Sequence, residues 1–273
     1  MAFLFSGLII VAIAPHLCGE IRLLAVTTSF GFRPGLPGPG SPATIFCTGL
    51  NIAGAFVATG SPLPGSIAGI SVTYGSVRAP IYGVADLGAF QIVNFQVPWE
   101  DYPTAPALSH GDNSLSPPTS LAPWGEFATD SAGYAIAFHA ADWTLVTASN
   151  PTRPGEWIAL YGSNFGAVSN PPVTGSAAPI DHLVSLDGGG SFPWSFKMLL
   201  QDPAGDRDLA TNFMGLAPAL IGVYQINVQM PDGLPTGGVQ IYVQRSRDCG
   251  FFFTQGCGRG LMLNISAIAR LPR

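Results

Sequence analysis

Asp202, Asp206 and Asp208 place three carboxylates within the segment QDPAGDRDLATN, and hard oxygen donors on one short loop are what a Ca²⁺ ion takes. The spacing is not that of an EF-hand, and Arg207 stands between two of the candidate ligands, so an ordinary acidic loop is the plainer expectation. His110, His139 and His182 are scattered, with no His-x-x-x-His pair and no carboxylate at ligand spacing. Each is expected to be a surface or strand histidine. No serine has glycine two positions away on both sides, so the nucleophile elbow of an α/β-hydrolase is absent. The sequence therefore assigns no catalytic residue, no metal site and no cofactor, and the chain is expected not to be an enzyme.

Cys249 and Cys257 flank the seven-residue segment GFFFTQG between two strand-like runs. In an exported protein this spacing suits a local disulfide, with Cys47 left unpaired; no histidine nearby supports a zinc reading. Among the five tryptophans, Trp157 falls on an alternating strand and is expected in the core, whereas Trp99 and Trp124 bracket a Pro/Ser-rich stretch and could pack two domains together. Phe192 and Trp194, beside the glycine run 188–190, are the candidates for a carbohydrate platform. The segment Gly38-Pro39-Gly40-Ser41-Pro42-Ala43 imitates a dinucleotide loop. Its prolines lack amide donors, and a strand follows where phosphate binding needs a helix N-terminus, so it reads as a turn.

These residues must be positioned by short elements. The chain has 273 residues, of which 47% are hydrophobic and only 10% charged, with 34 Gly and 25 Pro, a balance that favours many strands joined by turns. A net charge of -5 offers no basic stripe for nucleic acid. Charge is uneven: residues 245 to 273 carry five arginines against Asp248, giving +4 there and -9 elsewhere. Residues 2 to 14, AFLFSGLIIVAIA, have the length of a signal-peptide core and are short for a membrane-spanning helix. Residues 1 to 19 are accordingly expected to be a signal removed on export, and no later stretch is apolar enough to cross a membrane. Cys18 follows Leu17, not the small residue that a lipoprotein signal prefers, so lipidation is not expected.

An internal repeat organises the rest. Residues 39 to 50, PGSPATIFCTGL, align without a gap on 154 to 165, PGEWIALYGSNF, each a Pro-Gly turn followed by an alternating strand. FQIVNFQVP at 90 to 98 aligns on YQINVQMP at 224 to 231 with one extra residue, which inside a strand predicts a β-bulge. The amides Gln91, Asn94 and Gln96, with Gln225, Asn227 and Gln229, form either a ligand-binding ladder or the polar outer face of a sheet; the second is the plainer expectation. Further strands are predicted over 21 to 28, 68 to 74, 78 to 84, 194 to 200, 239 to 244 and 261 to 268.

The segments Pro39-Gly40-Ser41 to Leu50, Asn94-Phe95-Gln96-Val97-Pro98-Trp99-Glu100, Asn150 to Gly155 and Gly215 to Asn227 resemble the Ig-like C-terminal domain family of acidobacterial (Solibacter-type) exported proteins. The resemblance covers roughly residues 26 to 245 and implies paired Ig-like domains at the cell exterior, without an established activity. Cys47 stands where that family's turn has Gly, and the Cys249 to Cys257 loop is an addition to its pattern.

The expected fold is all-β: a signal peptide over 1–19, one immunoglobulin-like β-sandwich over 20–105, a Pro/Ser-rich linker over 106–124, and a second sandwich over 125–273 ending in a disulfide hairpin. The expected role is noncatalytic, extracellular or at the cell surface, and structural, adhesive or self-assembling. A carbohydrate-binding module is the alternative and a secreted hydrolase the third reading. The partners expected are the chain itself, in an oligomer or filament, or cell-surface polymers. The strand 21–30, with Ile21, Leu23 and Ala25 facing one way, is the candidate for donation to a neighbouring copy, unless it completes its own sandwich.

Overall fold

The computed structural model describes residues 20–100, 105–117, 120–187, 194–202, 205–234, 238–247 and 263–271. These residues are all-β, as expected. The strands β1 (Arg22–Thr28), β2 (Pro42–Thr48), β3 (Ala55–Val57), β4 (Ile70–Tyr74), β5 (Val77–Ala79), β6 (Ile81–Asp86), β7 (Gln91–Gln96), β8 (Pro106–His110) and β9 (Asn113–Leu115) come first. They are followed by β10 (Glu126–Phe127), β11 (Ala137–His139), β12 (Trp157–Ser163), β13 (Trp194–Leu200), β14 (Arg207–Leu209), β15 (Thr211–Leu216), β16 (Tyr224–Gln229), β17 (Val239–Arg247) and β18 (Leu263–Leu271).

Four antiparallel sheets result, with orders β1-β2-β7-β6-β3, β5-β4-β8-β9, β10-β12-β16-β15 with β11 also on β12, and β14-β13-β17-β18. The first two enclose one hydrophobic cluster and the last two another, consistent with sandwich packing. Strand periodicity explains each cluster. Ala43, Ile45 and Cys47 on β2, and Val93 and Phe95 on β7, alternate inward against Ile70, Val72, Tyr74 and Leu108 of the facing sheet. In the second unit Ile158, Leu160, Tyr224, Ile226 and Val228 meet Met198, Leu200, Ile241 and Val243. Each buried Val, Leu, Ile, Phe or Met among them stabilises its unit by about 1.5–3 kcal/mol.

The repeat is visible in the ladders. β2 pairs β7 from Pro42↔Gln96 to Cys47↔Gln91, and β12 pairs β16 from Trp157↔Gln229 to Gly162↔Tyr224, both without a shift. The bulge expected in the first copy's 90–98 strand is therefore not there. Bulges lie on the neighbouring strand, and in both copies: the register skips Tyr82 between Ile81 and Gly83, and Asn212 between Thr211 and Phe213. Ile92 is turned to the face away from Val93 and Phe95, opposite Phe46.

Three further expectations are corrected. The stretch 78–84 is two strands in different sheets, divided at Pro80, whose carbonyl accepts the Gln96 amide at 2.8 Å. Residues 106–115 are not linker: β8 pairs β4 and β9 pairs β8, joined by a two-residue turn at Gly111 and Asp112, and Leu108 is fully buried. The Pro/Ser-rich composition concealed a hairpin with one strong core residue. Trp157 is half-buried, not core, because the inward positions of β12 fall to Ile158 and Leu160.

The strand nominated for donation is intramolecular. β1 pairs β2 of the same chain from Arg22↔Thr48 to Thr28↔Ala43, Ile21 is buried in the first cluster and Leu23 packs against it. Ala25 lies beyond a register shift that leaves Leu24 exposed. The signal-peptide reading of 1–19 and the Cys249–Cys257 disulfide fall outside the described residues. No helix among the described residues is long and apolar enough to cross a membrane.

Cys47 is a free, fully buried thiol in the first cluster, and burial pushes its pKa up to about 11. Since the raised pKa keeps it protonated at neutral pH, the Cys47 peptide is expected to resist iodoacetamide at pH 7.5 and to label fully in guanidinium chloride. Labelling of the native protein at the rate of a free thiol would contradict this packing.

Candidate functional site at the seam

The carboxylates nominated for Ca²⁺ are engaged with side chains of the opposite kind. Arg207 Nε lies 3.2 Å from Asp202 Oδ2, Lys197 Nζ lies 2.9 Å from Asp208 Oδ2, and the Tyr242 hydroxyl donates to Asp206. Lys197 and Arg207 beside these carboxylates make the cluster an ion-pair surface. Burial, with Asp206 second, raises the Tyr242 phenol to about 12. Among the described residues no group of three His, Cys, Asp or Glu is placed to hold a metal. Phe192 and the side chain of Trp194 lie outside the described residues, so the carbohydrate platform is not located.

The amide ladder divides by role. Gln96 Nε2 donates to the Gly40 carbonyl at 3.0 Å, and its repeat counterpart Gln229 Nε2 donates to the Gly155 carbonyl at 2.9 Å. Both glycines have φ near +75°, and their amides donate to the carbonyls of Val97 and Met230. Each Pro-Gly turn is thus clamped by the end of the neighbouring strand. Asn94 accepts from the Thr44 hydroxyl at 2.8 Å, Gln91 donates to Asp86, and Gln225 donates to Asn227.

Among the described residues, only the first clamp continues into the other unit. Gln96 Oε1 accepts the Gly175 amide at 2.7 Å, the Leu63 amide donates to the Gly175 carbonyl at 2.8 Å, and the Ala177 amide donates to Ser61 Oγ at 3.0 Å. Trp99 lies over Gly40 and packs against the second unit's cluster while its amide donates to Thr174 Oγ1 at 3.0 Å. Tyr82, the residue skipped by the bulge, reaches across to donate its hydroxyl to the Ile221 carbonyl at 2.9 Å.

The centre of the seam is Glu126, on β10, buried and surrounded by donors. Its carboxylate accepts from Thr28 Oγ1 at 2.7 Å, Ser163 Oγ at 3.0 Å, and the amides of Gly31 at 3.2 Å and Phe30 at 3.3 Å. An ionised carboxylate offers acceptor sites for all four, so one side chain of the second unit gathers the β1–β2 loop of the first. Arg33 Nη1 adds a bond to the Gly125 carbonyl at 2.7 Å. Asn164 accepts the Gly38 amide at 2.7 Å and donates to the Pro123 carbonyl at 2.9 Å. Leu36 exchanges backbone bonds with Ser120 and Ala122.

A cleft of about 260 Å³ opens along this seam, lined by Leu36, Pro39, Leu121, Trp124, Asn164 and Arg245 among others. Trp124 donates its indole N–H to the Phe165 carbonyl at 2.9 Å, meets the Phe165 and Phe196 rings, and lies under Arg245, whose guanidinium carbon is 4.7 Å from the ring centroid. Burial lowers Arg245 to about 10, still charged at neutral pH. Trp99 joins the two units, as the sequence led us to expect, whereas Trp124 packs within the second unit at the edge of the cleft. Glu126 carried no sequence signal, because its partners lie 37 positions away at Ser163 and 95 to 98 away in the first unit.

The seam joins opposite ends of the units. In the first it uses the end where β2 starts and β7 finishes; in the second, the end where β12 finishes and β16 starts. Arg22 pairs Thr48 at the far end of the first unit. Leu271 pairs Val239, just after β16 has run to the far end of the second. The described residues thus begin and finish at opposite extremes of an end-to-end stack. Neither a scan against protein-family models nor a search of curated proteins returned a match to this chain.

Proposed function

We propose that the chain is a noncatalytic extracellular or cell-surface protein with a structural, adhesive or self-assembling role, built from two tandem immunoglobulin-like sandwiches. The strand orders support the fold assignment: β1-β2-β7-β6 against β5-β4-β8-β9 corresponds to the A-B-E-D and C′-C-F-G sheets of an Ig-like domain, and β10-β12-β16-β15 with β14-β13-β17-β18 repeats it. The resemblance of Asn94 to Glu100 and its companion segments to exported Ig-like proteins, and the apolar run over 2–14, support an external location.

The observation that carries the role is the seam. Two units joined by a flexible linker would reorient freely. Here a buried carboxylate, a glutamine clamp and Trp99 fix them end to end, the geometry of a spacer that holds its two ends apart. The test is immunogold electron microscopy of intact producing cells and of a strain lacking the gene. Label on the outer surface, together with altered surface architecture or attachment in the deletion strain, is the expected result. Label confined to the cell interior, or an unchanged surface and attachment after deletion, would overturn the proposal.

A further inference from the structure

At the end of the second unit away from the seam, His139 is buried on β11, paired across to Ile158 near the start of β12. Its two ring nitrogens meet two acceptors. Nδ1 lies 2.9 Å from Glu156 Oε2, and Nε2 lies 3.2 Å from the backbone carbonyl of Asn150. A neutral imidazole carries one N–H and one lone pair, so it satisfies only one of these contacts; the imidazolium satisfies both. The carbonyl cannot change role, and the glutamate oxygen is an acceptor when ionised.

Three loop segments converge on that ring. The hairpin after β11 is closed by the His139 amide donating to the Thr144 carbonyl and the Val146 amide donating to the Ala137 carbonyl. A turn at Thr147 to Asn150 follows, and Asn150 Nδ2 donates back to Thr144 Oγ1 at 3.2 Å. The third is the Pro-Gly turn before β12, where Glu156 Oε1 accepts the Arg153 amide. Arg153 also reaches Asn150 Oδ1 at 3.3 Å.

We infer that His139 and Glu156 form a proton-operated latch, which holds the segment 140–155 against the second unit when the imidazole is protonated and releases it when the proton leaves. Loss of the proton turns one ring lone pair toward an acceptor, so either the Glu156 or the Asn150 contact is broken. The charged groups facing the ring are Glu156 from the turn before β12, Asp142 from the hairpin, and Arg153 from the turn. Asp142 lies below the usual carboxylate range, chiefly through the Thr144 backbone amide and hydroxyl, with His139 and Arg153 contributing, so it remains negative through neutral pH and favours the charged ring. Arg153 acts in the opposite sense. The latch contribution is present while the ring carries both protons and is lost as rising pH removes one of them.

The hairpin presents Trp143 and Leu145 to solvent at an end of the stack that the seam does not cover. Acidity therefore fixes that exposed apolar tip, and alkalinity loosens it. This goes beyond the proposed structural role and does not depend on where the protein resides.

The test is backbone hydrogen exchange of the full chain at pH 5 and pH 8, corrected for intrinsic exchange, with the state of the His139 ring nitrogens read by ¹⁵N NMR. Both nitrogens should carry protons at pH 5, and protection at Trp143, Val146 and Asn150 should fall about tenfold or more by pH 8, as expected for losing one charge-assisted hydrogen bond. The seam amides Gly31 and Gly38 should not follow. The pH dependence should vanish in His139→Gln and in Glu156→Gln. Two results would overturn the latch, and both come from the unaltered protein: protection that does not change while the ring titrates, or a ring with only one protonated nitrogen at pH 5.

Discussion

Glu126→Ala is expected to destabilise the protein by about 3–5 kcal/mol, because it leaves two hydroxyls and two backbone amides at the seam without their acceptor. For a chain of this size that is a fall in Tm on the order of 10 °C. Glu126→Gln keeps the shape but turns one oxygen into a donor among donors, so about 1–3 kcal/mol should be lost. The change should appear first as loosening between the units, since Glu126 gathers Phe30 and Gly31 of the first unit while Phe127 beside it remains in the second cluster. Thermal unfolding followed by calorimetry checks both substitutions. A fall in Tm of less than about 2 °C for Glu126→Ala would mean that the carboxylate is not the anchor of the seam.

The repeat supplies a matched pair for the second prediction. Gly40 and Gly155 occupy the same turn in the two copies, with φ of 75° and 76°, and each receives the same glutamine amide. A Cβ at Gly40 would lie 2.0 Å from the Trp99 ring, whereas nothing lies within 4 Å of one at Gly155. Both substitutions by alanine carry the left-handed backbone cost of about 1–2 kcal/mol. Only Gly40→Ala adds overpacking, about 1–3 kcal/mol, against a ring that cannot move without leaving the second unit's cluster. Chemical denaturation should therefore place Gly40→Ala about 1–3 kcal/mol below Gly155→Ala. Equal losses would show that the Trp99 contact contributes nothing to holding the units together.

Strands such as β2, β12 and β16 were readable because core residues repeat every second position and Pro-Gly turns announce them. The hairpin of β8 and β9 was not, because Pro106, Ser109 and Ser114 dilute the pattern to one strong core residue, Leu108. The bulge expected from the extra residue in 90–98 was not there: β7 on β2 and β16 on β12 pair without a shift, and the bulges at Tyr82 and Asn212 occur in both copies, so they do not account for a length difference between them. The tryptophans flanking 101–124 pointed toward the seam. Its buried centre did not, as Thr28, Gly31, Glu126 and Ser163 come together only through the stacking of two units. The same applies to His139, whose acidic partner is seventeen positions away on the approach to another strand.

Small-angle X-ray scattering of the monomeric protein tests the central claim, that the two units form one fixed end-to-end stack. Wild-type protein should fit a single elongated particle, with the same maximum dimension across salt concentrations, while Glu126→Ala should broaden the distribution toward many inter-unit angles. A wild-type profile that already requires an ensemble of hinge angles, indistinguishable from that of Glu126→Ala, would contradict it.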